Sequence, residues 1–148
     1  ELFDLNLLEQ IEQKSLPFYQ QSSRHILQRS LKSNFQQAWI ACVNEEKKVA
    51  PAGLLILYLH KKSIRIFSIA VMPEYQGKGV GVSLLNHARD IALKRNNTRI
   101  SLEVNADNRR LVEWYKKAGF SSTELLKDYY EEGKDGLRMV EMLAVNTH

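Results

Sequence analysis

The chain has 148 residues, 44% of them apolar and 26% charged, and 21 Lys plus Arg against 17 Asp plus Glu give a formal net charge of +4. Such a length fits one domain of about 100–200 residues, and the composition excludes a disordered tail, a collagen-like polymer and a disulfide-stapled miniprotein. The charge is too mild to argue for nucleic acid, which is not expected as a direct partner.

Leu5, Leu8 and Ile11 recur at three-residue steps behind Asp4 and predict a helix with Asp4 as N-cap, broken by Pro17. The acidic first residues lack the basic stretch of a signal peptide. A second helix starts at Ser22 or Ser23 and carries Ile26, Leu27 and Leu31. From Ala38 the period changes, and Ala38 to Val43 reads as a strand ending in a charged turn, Asn44 to Lys48. Cys42, the only cysteine, lies in that strand and reads as a buried structural thiol. Without an internal partner it fits a reducing, cytoplasmic compartment. A second strand spans Gly53 to His60. Its apolar run, Leu54 to Leu59, falls far short of the ~20 residues that span a membrane, so no membrane partner is expected. After a turn at Lys61 to Ser63, a third strand runs from Ile64 to Val71 and stops at Met72-Pro73, since proline cannot donate to a ladder.

A glycine cluster follows, then a helix over Val80 to Arg95 with Leu84, Leu85, Ala88, Ile91 and Ala92 on the 3.6-residue period. A strand over Arg99 to Val104 and a helix over Asn108 to Lys117, capped by Gly119, come next. Strands over Ser122 to Leu126 and Leu137 to Ala144 close the chain, with a polar loop, Lys127 to Gly136, between them. The order predicts an α/β (α+β) fold: a mixed sheet covered by helices, one unit over residues 1–148. The four histidines, His25, His60, His87 and His148, lack metal-ligand spacing, so no metal is expected.

The most informative segment is Gln76-Gly77-Lys78-Gly79-Val80-Gly81, between a strand and a helix. The first amides of a helix lack intrahelical acceptors, and glycines let those amides approach phosphate oxygens. Lys78 adds a positive charge. A Walker A loop or a dinucleotide fingerprint starting at Gly77 needs glycine at 82, where Val82 stands, so both fail. What remains is Q/R-x-x-G-x-G/A, met by Gln76, Gly79 and Gly81; the other reading is a tight strand-to-helix turn.

In that setting, the stretch from Phe67 through Pro73 to Gly81 resembles the acetyl-CoA-binding segment of the GNAT superfamily of N-acetyltransferases. Leu102-Glu103-Val104-Asn105, then Asn108, then Trp114-Tyr115-Lys116-Lys117-Ala118-Gly119-Phe120, is similar to the second family segment. Asp128-Tyr129-Tyr130, Asp135-Gly136 and Met139 resemble the branch that acetylates protein N-termini, including the ribosomal-protein alanine N-acetyltransferases. The resemblance implies a GNAT fold: a mostly antiparallel sheet with a central parallel pair splayed for coenzyme A, flanked by about four helices. It implies acetyl-CoA as co-substrate. The implied acceptor is a protein or peptide N-terminus, with small amines or lysine, or a non-catalytic acyl-CoA sensor, as alternatives. The oligomeric state stays open.

The resemblance also implies roles. Glu103 shares a strand face with Ser101 and Asn105, opposite Ile100, Leu102 and Val104. The family position makes it the general base; the residues alone allow a solvated charge or an ion pair to Arg99 or Arg109. Asn108, Leu111 and Tyr115 align on one helical face. The resemblance makes Asn108 a cofactor contact and Tyr115 the general acid, against a helix N-cap and a half-buried core aromatic. Gln76, Gly77, Lys78, Gly79, Val80, Gly81 and Val82 are expected to hold the diphosphate. Backbone amides of Ile69, Ala70 and Val71 are expected to line the splayed strand, that of Val71 polarising the thioester carbonyl. Tyr129 and Tyr130, in the polar loop, wall an acceptor groove or merely pack, and Glu12, after the first helix, contacts the acceptor.

Overall fold

The computed structural model describes residues 2–144. Helix α1 (Leu2–Ser15) buries Leu5, Leu8 and Ile11. It begins ahead of Asp4, which therefore stands inside the helix and not at its cap, because nothing in Leu2-Phe3 breaks a helix. Helix α2 (Arg24–Lys32) is capped by Ser23, the later of the two predicted serines, whose hydroxyl accepts from the Ile26 amide at 3.2 Å. A short 3₁₀ turn, Phe18–Gln20, follows Pro17 and joins them.

Six strands, β1 (Gln36–Glu45), β2 (Lys48–Leu59), β3 (Ser63–Val71), β4 (Arg99–Asn105), β5 (Ser121–Glu131) and β6 (Lys134–Met142), form one sheet in the order β1-β2-β3-β4-β6-β5. Among the described strands, only the β3–β4 pair is parallel. Helices α3 (Val80–Lys94) and α4 (Arg109–Ala118) flank β4 in the chain. Ala52 to Leu57 of β2 are all buried, as expected of a central strand packed on both faces. Gly53 is required there, since a Cβ would stand 2.9 Å from the Ala70 carbonyl and 3.0 Å from Leu84 of α3. Among the described residues, no helix is long and apolar enough to cross a membrane.

Two expectations are corrected. Cys42 is exposed, not buried. It sits beside a register shift opposite Pro51, on an edge strand whose hairpin end is exposed from Asn44 to Val49. The predicted polar loop is mostly strand: β5 runs to Glu131 and β6 begins at Lys134, so Tyr129 and Tyr130 lie in a strand. β5 is the edge strand opposite β1, and polar residues are what an exposed edge carries. The turn shrinks to Glu132-Gly133, with Gly133 at φ 78°. Asp128, at φ 54°, accepts from the Gly133 amide at 2.8 Å and donates its own amide to Asp135 at 2.9 Å.

The feature that shapes the site is the parting of β3 from β4. They pair only from Ser63↔Arg99 to Ile66↔Leu102, while β4 stays on β6 through Asn105↔Gly136. At the same point β3 carries an extra residue, Phe67: Ile56 of β2 faces Ser68 and Leu57 faces Ile66. A bulge of this kind bends the strand and changes which side chains share a face. Ser68 thereby comes to the α1 face alongside Arg65.

Candidate active site

β3 ends at Val71, and a 3₁₀ turn, Pro73–Tyr75, leads toward α3. The Gln76 side chain donates to the Val71 carbonyl at 3.2 Å and folds the turn back onto the strand end. Gly77 and Gly79 adopt φ 75° and 86°, where any side chain is costly. Gly79 is also the N-cap and offers no side-chain acceptor. Among the described residues, the amides from Gly77 to Val82 therefore have no acceptor, and the first backbone bond of the run joins the Ser83 amide to the Gly79 carbonyl at 3.0 Å. A Cβ at Gly77 or Gly79 would meet nothing within 4 Å, so the turn faces open space. The Lys78 ammonium lies 5.7 Å from the Tyr75 ring centroid. Uncommitted amides at the positive end of a helix, with a lysine beside them, are an arrangement that suits an anion.

The strand ladder places two further donors. The Met72 amide donates to the Ala52 carbonyl at 2.8 Å, and with Ala70 opposite Leu54 the alternation turns the Ile69 and Val71 amides away from β2. They point into the gap that β4 vacates. A cavity of about 560 Å³ lies where the strands part. Glu12, Ile69, Glu103, Tyr115, Tyr129 and Tyr130 all line it. Ala70, Val71, the turn from Gln76 to Val82, and Asn108 do not.

Glu103 lies on the predicted face with its side chain only 6% exposed, but its partners are not Arg99 or Arg109. Arg65 Nε sits 3.1 Å from both carboxylate oxygens, and Arg138 reaches Oε1 at 3.4 Å. Register explains the difference, since Glu103 faces Arg138 across β4–β6 and Arg65 stands at the end of the β3–β4 pairing. Arg65 also donates to the Tyr129 hydroxyl at 2.9 Å. Burial pulls the Arg65 guanidinium toward its neutral form, but the charge and hydrogen bond of Glu103, with Tyr129, outweigh this and hold its pKa above the usual arginine value.

Tyr115, on α4, is 3% exposed and turns into the cavity. Burial, with a smaller contribution from Tyr130, pushes its phenol well above the ordinary tyrosine pKa of 10.0. Tyr130 is raised likewise, by burial first and then by Tyr129, Glu103 and Tyr19. Glu12 stands inside α1, not after it, and is 1% exposed. Its carboxylate accepts from the Ser22 amide at 2.7 Å, the Ser22 hydroxyl at 3.2 Å and the Ser68 hydroxyl at 2.8 Å. Asn108 is the N-cap of α4, with Oδ1 accepting from the Leu111 amide at 3.2 Å.

Sequence reasoning missed Arg65, Ser68 and Tyr19. Arg65 had a usable signal, a charge between Ile64 and Ile66 in a strand too apolar to be a solvated edge. Tyr19, whose hydroxyl accepts from Asn105 Nδ2 at 2.7 Å and whose ring meets Tyr130 edge-on at 5.9 Å, had none.

Over 65 residues the chain is 38% identical to the ribosomal protein bS18-alanine N-acetyltransferase of Escherichia coli (strain K12), covering 44% of each. Over 84 residues it is 34% identical to an N-alpha-acetyltransferase of Sulfurisphaera tokodaii, covering 55% of this chain and 50% of that one. The chain thus spans about half the length of these curated relatives. The crystal structure of the ribosomal-protein-S18-alanine N-acetyltransferase from Escherichia coli has the same fold, with a TM-score of 0.84 and 25% identity over 100% of this chain and 93% of that one. The profile of the acetyltransferase (GNAT) family matches residues 5–120, from α1 through the glycine turn to the end of α4, and the chain belongs to that family.

Proposed function

We propose that this chain is an N-acetyltransferase that uses acetyl-CoA to acetylate a primary amine, with a protein N-terminal α-amine as acceptor. The observation that carries the reading is the run of uncommitted amides from Gly77 to Val82 beside a strand gap whose cavity holds both Glu103 and Tyr115. The residues fit the coenzyme: the Gly77–Val82 amides and Lys78 suit a diphosphate, and the Ile69 and Val71 amides, in the gap, suit an extended polar arm. Asn108 caps α4 through Oδ1, which leaves its Nδ2 for the same ligand. Acetyl-CoA, when bound, supplies the activated acetyl thioester.

The chain's own groups then divide the work. The Val71 amide donates toward the carbonyl oxygen as negative charge grows there. Glu103 takes the proton of the attacking amine, directly or through water; among the described residues its Oε2 accepts only from Arg65, so lone-pair capacity remains. Tyr115, raised by burial, arrives protonated and holds a proton for the departing sulfur. Glu12, Tyr129 and Tyr130 line the acceptor side. An α-amine ionises near about 7.7–8.0 and a lysine near about 10.4, so an N-terminus yields its proton more readily at neutral pH.

The test is acetyl-CoA consumption against peptides with varied first residues, with free lysine and polyamines alongside. Thiol release is expected with peptide N-termini. Release with polyamines alone would make this a small-amine acetyltransferase, and binding without release would make it a sensor.

A further inference from the structure

We infer that Arg65 is a positioning residue, a single guanidinium that fixes the Glu103 carboxylate and the Tyr129 hydroxyl as one unit across β3, β4 and β5. This rests on the reading that Glu103 takes the amine proton and Tyr129 meets the acceptor.

Both groups sit where backbone pairing stops. The last β3–β4 pair is Ile66↔Leu102, so Glu103 is the first residue of β4 with no β3 neighbour across from it. Tyr129 lies in the part of β5 that has left the β6 register, between Leu126 and Glu131. The ladders that fix strand positions elsewhere do not hold β3 and β5 to Glu103 here. Arg65 supplies the missing tie, with Nε at 3.1 Å from both Glu103 oxygens and NH2 at 2.9 Å from the Tyr129 hydroxyl.

The guanidinium is itself held. Arg65 still pairs with Tyr58 and Ser101 through its backbone. Its head lies 5.6 Å from the Tyr58 ring and 5.8 Å from the Phe67 ring, which stack on each other at 4.5 Å. Arg138 is no substitute: it reaches only Oε1, at 3.4 Å, is 39% exposed, and shares its charge with Glu124 at 2.8 Å. Lysine would bring the charge without the planar fork that serves two acceptors at once.

The experiment measures steady-state kinetics for wild type, Arg65→Ala, Arg65→Lys, Glu103→Gln and the Arg65→Ala/Glu103→Gln double variant, with melting temperature as the folding control. Arg65→Ala is expected to lower kcat by about 10–100-fold, the usual cost of a misplaced reacting group. It should raise the acceptor KM several-fold and leave the acetyl-CoA KM unchanged. Arg65→Lys, the variant to use if the alanine form does not fold, should recover less than half of that loss. Added guanidinium ion at millimolar concentration should restore part of the Arg65→Ala rate. In the Glu103→Gln background, Arg65→Ala should cost less than about threefold more, because coupled groups are not additive.

A kcat within twofold of wild type, costs that multiply in the double variant, or an acetyl-CoA KM rising in step with a falling melting temperature would overturn the inference. A wild-type chain that consumes no acetyl-CoA with any amine would instead overturn the reading beneath it, and the inference with it.

Discussion

Glu103 and Tyr115 reach one cavity from different elements, a strand and a helix, and the proposed function gives them opposite tasks. Glu103→Gln keeps the shape and the acceptor oxygen but removes the proposed base, so kcat should fall by about 10²–10⁴-fold. An unchanged neutral-pH rate would remove Glu103 from that role. Tyr115 is held neutral, since burial makes its phenolate costly. Activity should therefore show no loss from Tyr115 ionisation below pH 10, and an alkaline limb below that value that vanishes in Tyr115→Phe would contradict the assignment. Stability carries the same sign. The folded chain keeps the phenolic protons of Tyr115 and Tyr130 where the unfolded chain has lost them, so this stabilisation is complete below the unfolded value of 10.0 and declines as pH rises beyond it. Urea melts at pH 9 and pH 11 check this, and Tyr115→Phe should flatten the difference. At this scale the strand parity of Glu103 was readable, because alternation follows from backbone geometry alone. Its cationic partners were not, since Arg65 meets it only through the register of a parallel pair that local sequence does not encode.

The glycine turn and the helix behind it were legible as elements. Their letters carry a backbone requirement, and the structure meets it with positive φ at Gly77 and Gly79. Gly79→Ala should cost about 1–2 kcal/mol of stability through left-handed strain. It should also raise the acetyl-CoA KM without changing the acceptor KM. Gly53→Ala tests the packing of α3 on β2. Its new methyl would meet the Ala70 carbonyl at 2.9 Å, and overpacking of this kind costs about 1–3 kcal/mol in chemical denaturation. Asn108→Ala should remove about 1 kcal/mol as a lost cap, and the same variant reads out cofactor affinity separately. The edge strand β5 was illegible for a physical reason. Lys127 to Glu131 is mostly exposed, and the β6 pairs that make this stretch a strand, Leu126↔Gly136 and Glu131↔Lys134, flank and close it, while the residues between them leave the register. Cys42 failed in the same way, because β-rich neighbours do not tell an edge from a centre.

Across the whole molecule, six strands form one sheet in which β3 leaves β4 after Ile66↔Leu102; the cavity lies at that departure, and the glycine turn follows the free end of β3. The parting itself was expected only by resemblance. The bulge at Phe67 that accompanies it leaves the burial along β3 alternating without a break, so nothing in the residue pattern marks it. If the turn holds the coenzyme's diphosphate, acetyl-CoA at a hundredfold its Kd should stabilise the chain by about 2.7 kcal/mol, and pantetheine, without phosphate, by far less. The most direct test is amide NMR of the labelled chain during titration with coenzyme A and, separately, with pantetheine. The account predicts that the Gly77–Val82 amide resonances move with coenzyme A and gain exchange protection, and stay in place with pantetheine. Coenzyme A binding that leaves those six resonances where they were, or no binding at all, would contradict it.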